Sequence, residues 1–143
     1  MTPAERLTAF IADMLQWEVS LDEQRRAQKG AHDSSLIEQI NKEAREKLGR
    51  IFSDHLSASA IATKAQSRLD LLNTGRPPEF AQQVLADTES HTGKTTYIET
   101  FREKGHLAPR RRYALVMEND EPKIDAVYAW RDSAGQWAKQ DSI

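Results

Sequence analysis

Residues 110–130, RRRYALVMENDEPKIDAVYAW, decide how the second half of the chain folds. Apolar and polar residues alternate on both sides of a short acidic segment, and a period of two residues is typical of β-strands. The segment therefore predicts an antiparallel hairpin with its turn at residues 118–122. We expect one face of the hairpin to pack on the helices through Tyr113, Leu115, Ile124, Tyr128 and Trp130.

Length and composition predict a single globular domain over residues 1–143, with 38% hydrophobic and 29% charged residues. The absence of cysteine excludes disulfides and thiolate metal sites. No apolar run reaches the ~18 residues that a membrane span needs, and the first residues lack the pattern of a secretory signal. These features predict a cytoplasmic protein that does not contact the membrane.

Acidic and basic residues are balanced along the chain. Residues 1–73 and residues 74–143 each contain 10 Lys/Arg and 11 Asp/Glu. Neither half is basic, which argues against nucleic-acid binding. The run Arg110, Arg111 and Arg112 is the local exception, and we expect it to be the solvated edge of a sheet.

Apolar positions at helical spacing predict three helices over residues 3–73. Thr2 and Glu5 are typical of a capping box, and we expect this first helix to end near Gly30. The third helix is expected over residues 58–72, before a pair of prolines that cannot continue it.

After the helices the apolar period changes to two, which predicts four or five strands over residues 79–140. Helices followed by strands favour an α+β fold, in which the three helices pack on one face of a curved antiparallel sheet. The segment Thr92-Gly93-Lys94-Thr95 shares part of the phosphate-binding loop pattern, but strands are predicted on both sides of it. We therefore interpret it as a hairpin turn.

No group of residues has the spacing of a metal site or a cofactor site. The four histidines, His32, His55, His91 and His106, do not form a pair of ligands on one helix face. His55 and Asp125 are weak candidates for a general base. His55 lies beside the apolar stripe of its helix, so a core or cavity-rim position is the simpler interpretation, and the alternation places Asp125 on the side of Val127. The tryptophans and tyrosines could line a pocket, but a core more often uses such side chains.

The order of the elements and two segments resemble the NTF2-like superfamily, an α+β cone. The segments are LTAFIADMLQWE in the first helix and RRYALVMENDEPKIDAVYAWRDSAGQW near the end of the chain. The closer similarity is to the NTF2-fold immunity proteins of bacterial polymorphic toxin systems. Their closing hairpin has a tyrosine-rich strand, a polar turn, and a strand with an Ile-Asp step that ends near an aromatic residue. Tyr113, Ile124, Asp125 and Trp130 match this outline, whereas Pro122-Lys123 stands where the family often has an aromatic residue.

This resemblance implies a protein without enzymatic activity or cofactor, which binds a cognate toxin domain in the cytoplasm and blocks it. Toxins of this type often act on nucleic acid and are basic around the active site. An acidic patch on the inhibitor would speed the encounter with such a toxin. We therefore expect Glu118, Asp120 and Glu121 in the hairpin turn to contact the partner.

Two alternatives come from other classes of protein. Small isomerases and dehydratases share the cone and bind a ligand between helices and sheet. In such an enzyme Asp125 or His55 would be the base, and Tyr97 or Tyr128 the hydrogen-bond donor. The other alternative is a structural module that forms a homodimer through the open face of the sheet.

Overall fold

The computed structural model describes residues 1–31, 33–103 and 109–143. Helices come first, and a five-stranded antiparallel sheet follows them. The α+β architecture expected from the sequence is therefore confirmed. Within the described residues, no helix combines the length and the hydropathy of a membrane span.

The two long helices are α1 (Pro3–Ala27) and α2 (Ser34–His55). The predicted capping box is present at the start of α1. The Thr2 hydroxyl accepts from the Glu5 backbone N–H at 3.1 Å, and the Glu5 carboxylate accepts from the Thr2 backbone N–H at 3.1 Å. The Asp33 carboxylate caps α2 in a similar way by accepting from the first backbone N–H groups of that helix.

The prediction of one helix over residues 58–72 is wrong, because the structure has two short helices, α3 (Ala58–Lys64) and α4 (Gln66–Leu71). Ala60 and Ala65 are both buried. In one continuous helix these residues would point about 140° apart. The break at Ala65 places both in the core and leaves Ile61 41% exposed.

The sheet is a meander in which each strand pairs with the next one along the chain. Its strands are β1 (Gln83–Thr92), β2 (Thr95–Phe101), β3 (Arg110–Glu118), β4 (Glu121–Arg131) and β5 (Gln136–Lys139). Because β3 is the central strand, the prediction that its three arginines form a sheet edge is wrong.

Two-residue turns connect β1 to β2 and β3 to β4. Asn119 and Asp120, with φ of 52° and 63°, join β3 to β4, and this two-residue geometry suits the twist of a hairpin. The predicted hairpin is confirmed, although Pro122 lies within β4 rather than in the turn. Gly93, with φ of 61°, lies in the turn from β1 to β2, which confirms the hairpin interpretation of residues 92–95.

A β-bulge in β4 changes which of its residues face the helices. Asp125 has no partner in the register with β3, so the alternation shifts by one residue at this point. Ile124 and Val127 consequently both lie in the core. Tyr128 and Trp130 face away from the helices, so the prediction that they pack on them is wrong.

The core lies between the helices and one face of the sheet, where apolar side chains of both meet. Its largest fully buried side chains are Tyr113, Phe10, Phe52, Phe80, Leu7, Met14, Leu48, Leu56, Ile98, Leu115, Ile124 and Ile143.

Candidate functional site

The central strand β3 directs its three consecutive arginines to two different faces of the sheet, because successive side chains of a strand alternate. Arg111 lies on the helix side, where its guanidinium donates to Glu79 at 3.0 Å. Arg110 and Arg112 lie on the opposite face. Together with four aromatic residues they form the outer platform, which consists of Tyr97, Arg110, Arg112, Tyr128, Trp130 and Trp137.

Arg112 lies at the centre of the outer platform. Its Cζ is 4.5 Å from the ring centroid of Tyr97, 5.0 Å from that of Trp137 and 5.1 Å from that of Tyr128. The Cζ of Arg110 is 5.1 Å from the ring centroid of Trp130. These distances are within the ~6 Å over which an aromatic ring attracts a cation. Stacking therefore holds both guanidinium groups in place on the sheet.

The aromatic residues of the outer platform also support one another. Tyr97 and Tyr128 meet edge to face with ring centroids 6.3 Å apart, and Trp130 and Trp137 do so at 5.2 Å. All four are half-buried by these neighbours, and none belongs to the core. An ordered cluster of Trp, Tyr and Arg with an exposed side is the composition of an interface hot spot.

Three cations, Arg110, Arg112 and Lys139, and two carboxylates, Glu99 and Asp132, lie at the outer platform, where Asp132 accepts from the Trp130 indole N–H at 2.7 Å. Glu99, Arg112, Tyr128 and Lys139 form one row across four strands. The Glu99 carboxylate accepts from Arg110 at 2.8 Å. In the described part of the chain, no carboxylate lies within ion-pair distance of Arg112 or Lys139.

The expectation that the large aromatic residues form the core holds for some of them. Trp17 and Tyr113 are in the core, whereas the other tryptophans and tyrosines are on the outer platform. A sequence signal was present, since Arg110 and Arg112 alternate on one strand as Tyr128 and Trp130 do on the next. The pairing register and the bulge, which bring these sets together, cannot be deduced from alternation alone.

The helix side of the sheet holds a second cluster, the inner cluster, formed by Arg68, Glu79, Arg111 and Tyr113. Arg68 donates two hydrogen bonds to Glu79, at 2.9 and 2.5 Å, and Arg111 donates a third. The Tyr113 hydroxyl donates to Gln82 at 3.0 Å. These residues line a cavity of about 140 Å³. The sequence contains no local signal for Glu79, because its partners come from α4 and β3.

The arginines of the inner cluster keep Glu79 ionised. Burial would raise the pKa of Glu79, but the hydrogen bonds and charges of Arg68 and Arg111 outweigh it and lower this pKa to about 2. Burial raises the pKa of Tyr113. A carboxylate with such a low pKa is a weak base near neutral pH. The cavity of about 140 Å³ is also smaller than the ~300 Å³ at which ligand pockets begin.

His55 is buried, which confirms its expected core position, and both of its ring nitrogens have partners. Its Nδ1 lies 3.2 Å from Arg6 Nη1, and its Nε2 lies 2.7 Å from Asp13 Oδ2. Because arginine only donates, Nδ1 accepts, and the Nε2 proton goes to Asp13. These contacts connect α1 to α2 and leave His55 no nitrogen for a substrate.

Asp125, the other weak candidate for a base, accepts from the Ser57 hydroxyl at 2.7 Å at the start of α3. This contact puts its side chain on the helix side together with Val127. The alternation predicted that Asp125 and Val127 lie opposite Ile124, which is wrong, because the bulge brings Ile124 to the helix side as well. Tyr97 and Tyr128 lie on the outer platform, so their assignment as donors in a cavity between helices and sheet is wrong.

The acidic turn, formed by Glu118, Asp120 and Glu121, is at the tip of the β3–β4 hairpin. Glu118 accepts from the Ala58 backbone N–H at 3.2 Å, so its carboxylate stabilises the start of α3. Glu121 lies 3.5 Å from Arg6, although its side chain is 60% exposed. Asp120 is exposed. The three predicted contacts are therefore accessible, but two of them already have partners.

No three His, Cys, Asp or Glu side chains among the described residues form a group that could hold a metal ion. His91 is exposed at the end of β1, where it hydrogen-bonds the Thr96 hydroxyl at 3.1 Å. His32 and His106 lie outside the described residues.

Comparison with known proteins identifies one family. A scan against protein-family models matches residues 2–141 to the family described as NTF2 fold immunity protein. A search of curated proteins and a search of solved structures each found no match. The family match covers all the helices and strands, together with the outer platform and the inner cluster. The chain belongs to the family of NTF2 fold immunity proteins.

Proposed function

We propose that this protein binds a cognate toxin domain of a bacterial polymorphic toxin system in the cytoplasm and thereby neutralises it. The family match over residues 2–141 is the observation that supports the proposal most directly, because an immunity protein acts through a protein partner. A stable complex of this kind buries about 1,200–2,000 Å² and depends on a few anchoring residues.

The geometry of the polar clusters favours binding over catalysis. The inner cluster holds a carboxylate with a pKa of about 2, and both nitrogens of His55 are engaged within the fold. The outer platform, in contrast, is open on one side, and the side chain of Arg110 is 44% exposed. The outer platform therefore combines fixed side chains with an accessible side, as a recognition surface does.

The acidic turn is a further proposed contact, for a basic region of the toxin. Asp120 is its best-placed side chain, because Glu118 and Glu121 also hold contacts within the protein. Exposed charges at the rim of an interface mainly accelerate association and contribute less to the lifetime of the complex. We therefore propose that the acidic turn steers the toxin.

Co-expression with the C-terminal domain of the protein encoded immediately upstream tests the proposed function. We expect the tagged immunity protein to rescue growth and to co-purify with that domain at a stoichiometric ratio. The matched control is the same plasmid expressing the tag alone. A toxic domain that is neither rescued nor bound would contradict the proposal, as would an upstream domain that is harmless and forms no complex.

A further inference from the structure

We infer that the outer platform is the surface that anchors the toxin, and that it recognises a carboxylate-bearing patch on that protein. This inference rests on the proposed function and adds to it the binding surface and the chemistry of the partner. The surface is the face of β2–β5 that points away from the helices, with Arg112 at its centre.

The state of the Arg112 guanidinium indicates what it binds. Stacking on the rings of Tyr97, Tyr128 and Trp137 satisfies the flat faces of the group but none of its N–H donors. Its Nε is buried and has no hydrogen-bond partner among the described residues. Because the Nε is buried, a partner would meet the two Nη groups of the planar guanidinium, and a carboxylate can accept two parallel hydrogen bonds from them.

The outer platform is also ordered before a partner arrives. An arginine side chain normally loses rotamer freedom when it is immobilised at an interface, and this loss weakens binding. Arg112 is already held by three rings, and Arg110 by Trp130 and by Glu99. Binding therefore loses less conformational entropy at this face than at a surface of unsupported arginines.

The charge on this face distinguishes between possible occupants. A second copy of the chain would meet it in a two-fold contact, which brings Arg112 and Lys139 of both copies into one interface. Like charges repel in that arrangement. A nucleic acid generally requires a broad basic surface, whereas the net charge of this chain is −2. An acidic protein patch fits both the aromatic residues and the uncompensated cations.

The central experiment compares two double variants that each remove two positive charges. Arg110→Gln/Arg112→Gln changes the outer platform. Arg26→Gln/Arg76→Gln is the matched control, since these side chains are 50% and 57% exposed and both contact Asp22 on α1. The dissociation constant for the toxin domain is measured by calorimetry, and circular dichroism checks that each variant is folded. We expect about 100-fold weaker binding for the platform variant and less than about threefold for the control.

A third variant tests the acidic turn against the outer platform. Glu118→Gln/Asp120→Asn/Glu121→Gln is expected to slow association by less than about tenfold and to leave dissociation nearly unchanged. If this variant loses binding while the platform variant keeps it, the inference is wrong and the proposed function stands. If the wild-type protein itself neither rescues nor binds, the proposed function fails, and the inference fails with it.

Arg112→Lys tests the carboxylate directly, because lysine keeps the charge without the planar pair of donors. We expect about tenfold weaker binding for Arg112→Lys than for the wild type. Unchanged affinity would overturn the assignment of a carboxylate partner.

Trp17→Phe provides a second readout, since it leaves Trp130 and Trp137 as the only tryptophans. Their quenching by acrylamide should fall when the toxin domain binds.

Two measurements on the protein alone address the other occupants. Light scattering is expected to give a monomer, and a dimer that Arg110→Gln/Arg112→Gln dissociates would assign this face to a second copy. A labelled single-stranded oligonucleotide is expected not to bind at physiological salt. Tight binding that the same double variant abolishes would assign the face to nucleic acid. Either result would overturn the inference.

Discussion

Arg111 and Arg112 are neighbours on the same strand, yet the fold uses them in opposite ways. Arg111 faces the helices and donates to Glu79, and its side chain is 20% exposed. Arg112 faces outward among aromatic rings and has no carboxylate partner among the described residues. The difference shows that the role of an arginine in this sheet depends on its surroundings, because Arg111 meets the carboxylate of Glu79 and Arg112 meets aromatic rings.

The two environments have different energetic consequences. Removing one member of a buried ion pair leaves a charge without compensation and is strongly destabilising. Removing a stacked and partly exposed cation leaves the aromatic rings packed on their other neighbours. The loss in the free energy of unfolding is therefore smaller. The helix-side arginine should therefore determine stability, and the outward arginines should determine recognition. Each of the following predictions would weaken or sharpen this contrast.

The largest effect on stability is expected for Glu79→Gln. This change leaves Arg68 and Arg111 buried without a counter-ion, and we expect a loss of about 3–5 kcal/mol in the free energy of unfolding. Urea unfolding at neutral pH measures it. The control is Glu99→Gln, which removes a partly exposed pair with Arg110 and should cost about 0–1 kcal/mol. Equal losses in the two variants would remove the contrast between the faces.

A related effect is expected on the pH dependence of stability. The pKa of Glu79 is lowered from 4.5 to about 2 in the folded protein. A lowered folded-state pKa contributes stability above the unfolded-state value, and that contribution disappears as the pH falls through the folded-state value. We therefore expect the wild type to lose about 3 kcal/mol relative to Glu79→Gln between pH 4.5 and pH 2. The free energy of unfolding of both proteins is measured at several pH values. If it falls by the same amount in both, Glu79 is not held ionised.

A smaller effect on stability is expected for Arg112→Gln. The variant loses three cation–π contacts but leaves no buried carboxylate without its partner. We therefore expect the free energy of unfolding to fall by about 1–2 kcal/mol. Thermal unfolding followed by circular dichroism measures this cost. A loss as large as that of Glu79→Gln would indicate that the outer platform is needed for folding and would weaken its assignment to recognition.

The smallest effect is expected for Arg110→Gln. The Arg110 side chain is 44% exposed, and its pair with Glu99 is screened by solvent. We expect the free energy of unfolding to change by less than about 1 kcal/mol. A melting temperature equal to that of the wild type, together with weaker toxin binding, would show most clearly that the outward arginines act in recognition. A large fall in the melting temperature would contradict this separation of roles.

Features that depend on neighbouring residues could be predicted from the sequence. The capping box at Thr2 and Glu5 was found because its hydrogen bonds join residues three positions apart. The hairpin of residues 110–130 was found because alternation and a polar turn are properties of one segment. The α+β class followed from the order of such segments along the chain.

Features that depend on distant residues were missed. The break at Ala65 lets the chain pack on a core that includes residues from both halves of the sequence. Glu79 is held by arginines from α4 and β3, and no spacing in the sequence brings these three together. The acidic turn was proposed as a contact from its charge alone, whereas the contacts of Glu118 and Glu121 with Ala58 and Arg6 appear only in the folded chain.

Local patterns in this chain were enough to specify its two long helices, its strands and its closing hairpin, because periodicity and capping act over a few residues. They also placed three arginines on one strand. The roles of those arginines follow from the bulge at Asp125 and from the central position of β3, both of which depend on pairing between strands. Only the assembled sheet puts Arg111 against Glu79 and gathers aromatic rings from β2, β4 and β5 around Arg112, since those rings come from three separate segments.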